Sequence, residues 1–302
     1  MGRLTAIVLG SAGGGGYPQW NCLCPACRLA WDGDKRVKPR SQASLAVTAD
    51  GEHWTLINAS PDLRAQLIAT PQLRPRGKAR GSPIAAVVLT GAEVDQVAGL
   101  LTLRERQPFA LFATAQTLAT LNANPIFGVL ADDVVTREAV APDAPFALPG
   151  GLSAELFTVP GKVPLYLEDG DPAAAAIEDG ATVGAEIVCG PRRLAYVPGA
   201  AAMTAALYDR LATADVVLFD ATLFVDDEMI AAGIGEKTGR RMGHMPLAGE
   251  GGSLAALAGL PGRRILTHIN NTNPILIEGS PERSKVRAAG FEIAEDGMEI
   301  VL

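Results

Sequence analysis

Two groups of residues in this sequence have the types and spacing that metal chemistry requires. The first is Cys22-Leu-Cys-Pro-Ala-Cys27, three soft thiols within six residues. Thiolates at that spacing can take three corners of a tetrahedron, which suits zinc. A closed structural site needs a fourth ligand, and Cys189, Asp34 and a residue beside the His268 loop are the candidates. The competing reading is three reduced cysteines packed as small hydrophobes. Trp20, Asn21 and Pro25 make the segment a loop, which favours a zinc knuckle stapling residues 20–34 over any catalytic role.

The second group is dispersed. The chain has only three histidines, His53, His244 and His268, so a centre needing four or five imidazoles cannot be built. His268 follows the apolar run Arg264-Ile-Leu-Thr267 and opens the polar, proline-closed stretch Ile269-Asn-Asn-Thr-Asn-Pro274. Glu93 and Asp95 follow the apolar run Ile84–Thr90, and alternate residues of such a loop can point the same way and share one cation. Otherwise Glu93 is solvated and Asp95 caps the next helix. Asp220 ends the apolar run Val216–Phe219 and needs a partner, because an unpaired buried charge is costly. His244, in Met242-Gly-His-Met-Pro246, is either a satisfied polar residue or, with His268 and one carboxylate, part of a two-His-one-carboxylate set. His53, in the turn Asp50-Gly-Glu-His53, reads as surface.

Placing these groups requires strands that end where the chemistry begins. Strands are expected at Leu4–Leu9, Ser44–Thr48, Trp54–Asn58, Ile84–Thr90, Phe109–Ala113, Leu152–Val159, Thr182–Val188, Arg193–Tyr196, Val216–Phe219 and Arg264–Thr267. Asp50-Gly51 marks a hairpin, and Ser60 and Pro61 are expected to cap and open a helix. Further helices fit a run through Leu103, Ala202–Ala212 and Leu254–Leu260, and Gly170–Gly180 is the expected flexible insertion. Strands arriving in two batches with helices between them predict an α/β fold of two sheets flanked by helices. With no linker and no repeat, one domain over 1–302 is expected.

Composition excludes other classes. Hydrophobic residues make up 48% and charged residues 20% of the 302, which describes a packed core rather than a disordered chain. A net charge of −7 argues against a nucleic-acid surface, and the short basic stretch Arg74–Arg80 reads as a solvated loop. No apolar run reaches the roughly 18 residues of a membrane span. The first residues lack the small-residue cleavage site of a signal peptide, so a cytoplasmic protein is expected.

Taken together the motifs carry a resemblance. Their order is similar to that of the metallo-β-lactamase superfamily, and within it the chain closely resembles the pyrroloquinoline quinone (PQQ) biosynthesis protein B family. The shared stretches are Leu9-Gly-Ser-Ala-Gly-Gly-Gly, Pro18-Gln-Trp-Asn-Cys, Asn58-Ala-Ser-Pro-Asp-Leu-Arg, Gly239-Arg-Arg-Met-Gly-His and His268-Ile-Asn-Asn-Thr-Asn-Pro. The resemblance implies a four-layer αββα sandwich with a metal at the edge between the sheets. It implies iron-dependent hydroxylation of the tyrosine ring of a cross-linked Glu–Tyr precursor, with dioxygen as co-substrate and other PQQ biosynthesis enzymes as partners. It leaves a homodimer open. The alternative is a non-enzymatic carrier passing PQQ or its precursor toward export.

The same resemblance assigns residues. Fe(II) would be held by His268, Asp95 and Glu93, with Gln96 binding through its amide oxygen where a histidine is usual. His244 would be a ligand or proton donor, oriented by Asp220. The superfamily's His-x-His-x-Asp-His appears as Gly91-Ala-Glu93-Val-Asp95-Gln96, and its bridging aspartate falls at Gly199. Ligands for a second metal are therefore missing, which argues against a dinuclear hydrolase. The zinc knuckle of related phosphodiesterases is completed by a histidine at the position of Asn271. Arg64, Asn270 and Asn273 are the expected contacts to a carboxylate-rich substrate, beside the glycine loop Gly13–Gly16.

Overall fold

The computed structural model describes residues 2–77, 79–168 and 180–302. The expected insertion at Gly170–Gly180 thus lies outside the described residues except for Gly180, as does Lys78 of the basic stretch.

Fourteen strands form two seven-stranded sheets among the described residues. The first sheet contains β1 (Thr5–Gly10), β2 (Ser44–Thr48), β3 (Trp54–Ile57), β4 (Ile84–Val88), β5 (Phe109–Ala113) and β6 (Val135–Ala139). The second contains β7 (Phe146–Ala147), β8 (Ser153–Thr158), β9 (Val183–Cys189), β10 (Arg192–Val197), β11 (Val216–Asp220), β12 (Arg263–Thr267) and β13 (Glu292–Ile293). The last strand, β14 (Glu299–Val301), crosses back to pair with β1. Each sheet is antiparallel on one side and parallel on the other. Pairing turns parallel from β3 to β6 in the first sheet and from β10 to β13 in the second.

Helices α1 (Pro25–Trp31), α2 (Leu63–Ala69), α3 (Val94–Val97), α4 (Ala115–Ala123), α5 (Ala205–Leu211), α6 (Glu228–Ala231), α7 (Ser253–Ala256) and α8 (Pro281–Ala288) complete the regular structure. The two-residue period of the strands decides which layer each side chain joins. Ala6 and Val8 enter the core between the sheets with Leu156, Ile187 and Tyr196, while Ile7 and Leu9 pack outward with Leu63, Val97 and Leu121 of α2, α3 and α4. On the other side, Val197, Val217 and Phe219 pack against Leu207, Leu254 and Val286 of α5, α7 and α8. Strands buried on both faces have no place for a polar side chain, which explains unbroken runs such as Val216–Phe219. The result is the expected αββα sandwich.

The hairpin at Asp50 forms: its Oδ1 accepts from the Glu52 and His53 amides at 2.8 Å each, and His53 is exposed. The start of α2 differs from expectation. Asp62, not Ser60, holds the N-cap position, and it makes no side-chain cap. The Ser60 hydroxyl donates to Gln66 Oε1 at 3.1 Å and Asp62 Oδ2 accepts from the Gln42 amide at 2.9 Å, so both side chains are oriented by other partners. Helix α5 begins three residues later than expected because Thr204 Oγ1 accepts from the Leu207 amide and fixes the start there. Of the expected Leu254–Leu260 helix only Leu254–Ala256 is α-helical, in α7. Among the described residues no helix is long and apolar enough to cross a membrane.

Candidate metal centre and thiol knuckle

The parallel register of β11 and β12 builds the centre. Asp220 lies opposite Thr267, so the chain leaving β12 presents His268 beside the end of β11. His268 has a left-handed backbone (φ 56°), uncommon without glycine, and it turns the loop away from the strand axis. Amide–carbonyl pairs Ala221 N–Thr267 O (2.8 Å) and Asn270 N–Thr222 O (3.0 Å) continue the ladder past the strand ends. His244 arrives after the turn Arg240–Met242, which closes on Gly243 at φ 87°. Asp95 comes from the other sheet, on the short helix after β4.

The side chains meet around Thr222. Its Oγ1 donates to Asp220 Oδ1 at 2.6 Å and lies 2.8 Å from His268 Nδ1 and 3.0 Å from His244 Nδ1. His244 Nδ1 is also 2.8 Å from Asp220 Oδ2, and the two imidazoles stack with centroids 5.0 Å apart. With both Nδ1 atoms turned to Asp220 and Thr222, each ring leaves Nε2 as its outward nitrogen. His268 Nε2 is 2.9 Å from Asp95 Oδ2. In Asp220-Ala-Thr222 the sequence singles out the acid and not the threonine. A threonine carries no ligand chemistry of its own, and only the geometry reveals that it joins all three partners.

Charge makes the cluster coherent. Burial opposes the Asp220 carboxylate, but His244 and His268 outweigh it and hold the group well below the usual carboxylate range. Asp95 is likewise lowered against burial by His268. For His268, burial pushes the imidazolium down, yet Asp220 and Asp95 raise it to about 10.

The donors fit one divalent cation. Asp220, His244 and His268 bring ligand atoms within 4.8 Å of one another, but the Thr222 hydroxyl stands among the Nδ1 atoms. The face left for a cation is that of His268 Nε2 and Asp95 Oδ2, one nitrogen and one carboxylate oxygen. Glycines keep it uncovered: a Cβ on Gly13 would stand 3.5 Å from His268 Cε1, and one on Gly14 would stand 3.8 Å from Asp95 Oδ2. Gly199 lies against His244, where a Cβ would come within 3.3 Å of Cε1, and offers no carboxylate.

Other expected site residues do not converge there. Glu93 does not point alongside Asp95. Glu93 is the extended residue preceding α3 and Asp95 lies within the helix, so the alternate-residue spacing of an extended loop does not apply. Glu93 is the N-cap of α3 in a reciprocal capping box with Gln96, and its carboxylate takes Lys162 Nζ at 2.8 Å. Gln96 Oε1 accepts the Glu93 amide at 3.1 Å, which occupies the atom expected to face a metal. Arg64 is exposed on α2 and lines a groove with Leu67, Ile68 and Leu103 that includes no residue of the centre. Asn273 is fully buried, its Nδ2 donating to Ala221 O (2.9 Å) and its Oδ1 accepting from Ile275 N (3.1 Å), so it braces the loop and has no free face for a substrate. Asn270 adjoins the centre through its amide on Thr222 O, with its side chain donating to Thr272 at 2.7 Å.

The thiol knuckle sits on the other side of the same loop. Cys22, Cys24 and Cys27 are buried with all three Sγ within 4.8 Å of one another. Cys24 caps α1, which places Cys27 one turn on. Asn271 Nδ2 points at the sulfurs, 3.1 Å from Cys22, 3.3 Å from Cys27 and 3.7 Å from Cys24, and its backbone oxygen is 3.5 Å from Cys24 Sγ. Asn271 therefore brings both an amide and a carbonyl to the position of a fourth ligand. The other two candidates are elsewhere: Cys189 faces Gly2 O at 3.4 Å and Asp34 pairs with Arg36 at 2.8 Å. Burial, with the neighbouring cysteines, pushes the Cys24 thiol up to about 12, and burial also raises Cys27. Thiols so raised are the ones a soft cation must deprotonate to bind, and three sulfurs with one oxygen donor fit zinc.

A β-lactamase superfamily domain matches residues 53–269, a span holding Asp95, Asp220, His244 and His268. Coenzyme PQQ synthesis protein B from Methylobacterium nodulans is 58% identical over 300 residues, covering 99% of this chain and 100% of that one. The crystal structure of Zn(2+)-bound PqqB from Methylobacterium extorquens superposes with a TM-score of 0.96 at 54% identity, covering 99% of this chain and 100% of that one. A diphosphatase from the PhnP family matches with a TM-score of 0.69 at 21% identity, covering 99% of this chain and 97% of that one, and shares the fold alone.

Proposed function

The chain belongs to the coenzyme PQQ synthesis protein B family of the β-lactamase superfamily, and from that premise we propose that it works in PQQ biosynthesis as a mononuclear iron-dependent oxygenase. The substrate would be the cross-linked Glu–Tyr precursor, hydroxylated on its tyrosine ring. The observation that carries this reading is the His268–Asp95 pair at 2.9 Å, flanked by the His244–Asp220 dyad and lacking donors for a second ion at Gly91 and Gly199.

His268 Nε2 and Asp95 Oδ2 would hold the ion, with Glu93 and Gln96 joining only if the α3 capping box opened. Bound there, Fe(II) would supply open positions at which dioxygen and a phenol meet. The protein's own part is proton handling. Asp220 holds the Nδ1 proton of His244, so His244 Nε2 is left to take the phenol proton and return it. Inserting one oxygen atom of dioxygen into a ring C–H bond reduces the other to water and consumes two electrons from an external reductant. Asn270, beside the centre, would meet a substrate carboxylate or phenol by giving up its bond to Thr272. The zinc knuckle would hold the 268–273 loop in place, and its reduced thiols suit a cytoplasmic protein.

The test is reconstitution of metal-free protein with Fe(II), then exposure to oxygen, ascorbate and the Glu–Tyr compound. Oxygen consumption with a product one oxygen atom heavier is expected. Tight binding of the compound or of PQQ without turnover would overturn this reading in favour of the carrier.

A further inference from the structure

A row of alternating charges beside the metal centre has no part in the proton chemistry. The chain leaving β8 carries Lys162, whose carbonyl accepts the Thr182 hydroxyl at 3.0 Å. Its ammonium lies 2.8 Å from Glu93 Oε1 and 2.9 Å from Glu168 Oε1, and Lys237 Nζ closes the row 2.6 Å from Glu168 Oε2. The Leu165 amide adds a donor 3.2 Å from each Glu93 carboxylate oxygen. Burial opposes the Lys162 ammonium, yet Glu93 and Glu168 outweigh it and raise the group above the ordinary lysine range.

The row ties together the two short elements that deliver Asp95 and His244. Glu93 opens α3, which carries Asp95. The Lys162 stem runs along Gly243, where a Cβ would come within 3.3 Å of Cγ, so it passes the residue next to His244 on its way to Glu93. Glu93 has an extended backbone ahead of the helix (ψ 152°), so rotating its side chain away from Lys162 breaks its half of the capping box and leaves α3 in place.

We propose that Lys162 is a positioning residue that competes with the metal ion for the Glu93 carboxylate and so sets how many protein donors the centre has. The inference rests on the reading of a cation held by His268 and Asp95. While Lys162 holds Glu93, the ion has those two donors and keeps more positions open for dioxygen and substrate. Without the ammonium, Glu93 turns to the ion and completes a set of one imidazole and two carboxylates. Binding then tightens, and one open position is lost. An ammonium and a divalent cation repel each other, so one carboxylate serves the two in turn.

The probe is cobalt(II), titrated into protein whose knuckle already holds zinc and followed by visible absorption. Lys162→Met keeps the stem along Gly243 and removes the charge. It should bind cobalt about tenfold more tightly, the scale on which groups beside a metal ligand shift affinity, with a changed spectrum as a third donor joins. Losing a nearby positive charge would by itself tighten binding, so the deciding arm is the same substitution in a Glu93→Gln background. There the gain and the spectral change should disappear. Glu93→Gln alone should fall short of a tenfold loss, because a carboxylate held by Lys162 gives the ion nothing. Knuckle zinc reports that each variant is folded; should Lys162→Met lose it, the Glu93→Gln arm decides. No gain in Lys162→Met, a gain undiminished by Glu93→Gln, or a Glu93→Gln loss as large as that of His268→Ala would overturn the proposal. Failure of the functional reading looks different: cobalt binding left intact by His268→Ala would place the ion elsewhere, and both would fall.

Discussion

The thiol knuckle and the His268 centre share one loop, Asn271 serving the first and His268 the second, yet they are assembled in opposite ways. The knuckle takes its three sulfurs from six consecutive residues and needs one distant partner. The centre takes Asp95 from one sheet and Asp220, Thr222, His244 and His268 from the other, so it exists only when both sheets are packed. A site written into local spacing is set by a few turns of chain. A site written across 173 residues of separation between Asp95 and His268 is set by the whole fold. The two should therefore fail separately.

The sharpest way to separate them is His268→Ala. Removing a residue that merely orients a metal ligand costs about 10–100-fold in affinity or activity, so removing a proposed ligand should cost more. Iron should leave the centre and turnover should fall at least a hundredfold by that reasoning, while zinc stays in the knuckle. Metal analysis of the purified variant checks both halves, and loss of both metals would mean that the sites are one unit.

The converse substitution is Cys27→Ser. Zinc should be lost, and because binding energy at a structural zinc site is folding energy, the unfolding midpoint should drop clearly. Iron affinity should fall less, since His268 is also held by the Ile269 amide on Ser11 O (2.9 Å) and by Thr222. Thermal unfolding with iron titration tests this, and an iron affinity reduced as far as by His268→Ala would merge the two regions.

Thr222 offers a smaller and more discriminating effect. Thr222→Ala removes the hydroxyl between Asp220 and both imidazoles and should cost about 10–100-fold in turnover. Thr222→Ser keeps the hydroxyl and should stay well short of the alanine variant's loss, since the contacts to Asp220 and the imidazoles remain. Nitrogen NMR of the histidine rings should show the Nδ1 proton pattern altered in the alanine variant and kept in the serine variant. An alanine variant with normal turnover would reduce Thr222 to a packing residue.

The same contrast explains what could be read from the sequence. The cysteine spacing, the Asp50-Gly51 hairpin and the apolar strand runs depend on neighbours in sequence; the hairpin and strands appear as expected and the three thiols cluster, although Pro25–Trp31 is a helix where a loop is expected. Misreadings fall where a distant partner decides. Asp62 holds the N-cap position of α2 but its carboxylate is taken by the Gln42 amide, and Asn273 braces the loop because Ala221 lies behind it. Arg64 shares a motif with Asn58 but not a direction, since α2 packs its apolar side on the sheet and turns Arg64 out. The site's assembly across the two sheets came from resemblance to a family, since no local spacing contains it.

Gln96 is where the smallest effect would teach most. By resemblance a histidine is usual at this position, which suggests that imidazole should strengthen metal binding. The structure sets a competing demand: Gln96 Oε1 holds the Glu93 amide, Glu93 holds Lys162, and Gly91 leaves room for that amide, since a Cβ there would sit 2.5 Å from Oε1. An imidazole cannot reproduce the reciprocal cap and also reach the face of His268 and Asp95. While α3 keeps its present turn, Gln96→His should leave iron retention within about twofold and lower stability by about 1 kcal/mol, the scale of a lost cap. Iron retention by dialysis and urea unfolding measure the two terms independently. A gain in iron with the same loss of stability would mean that the capping box had opened and residue 96 had swung to the metal. The centre would then differ from its relatives by one helical cap, and its fold would be unchanged.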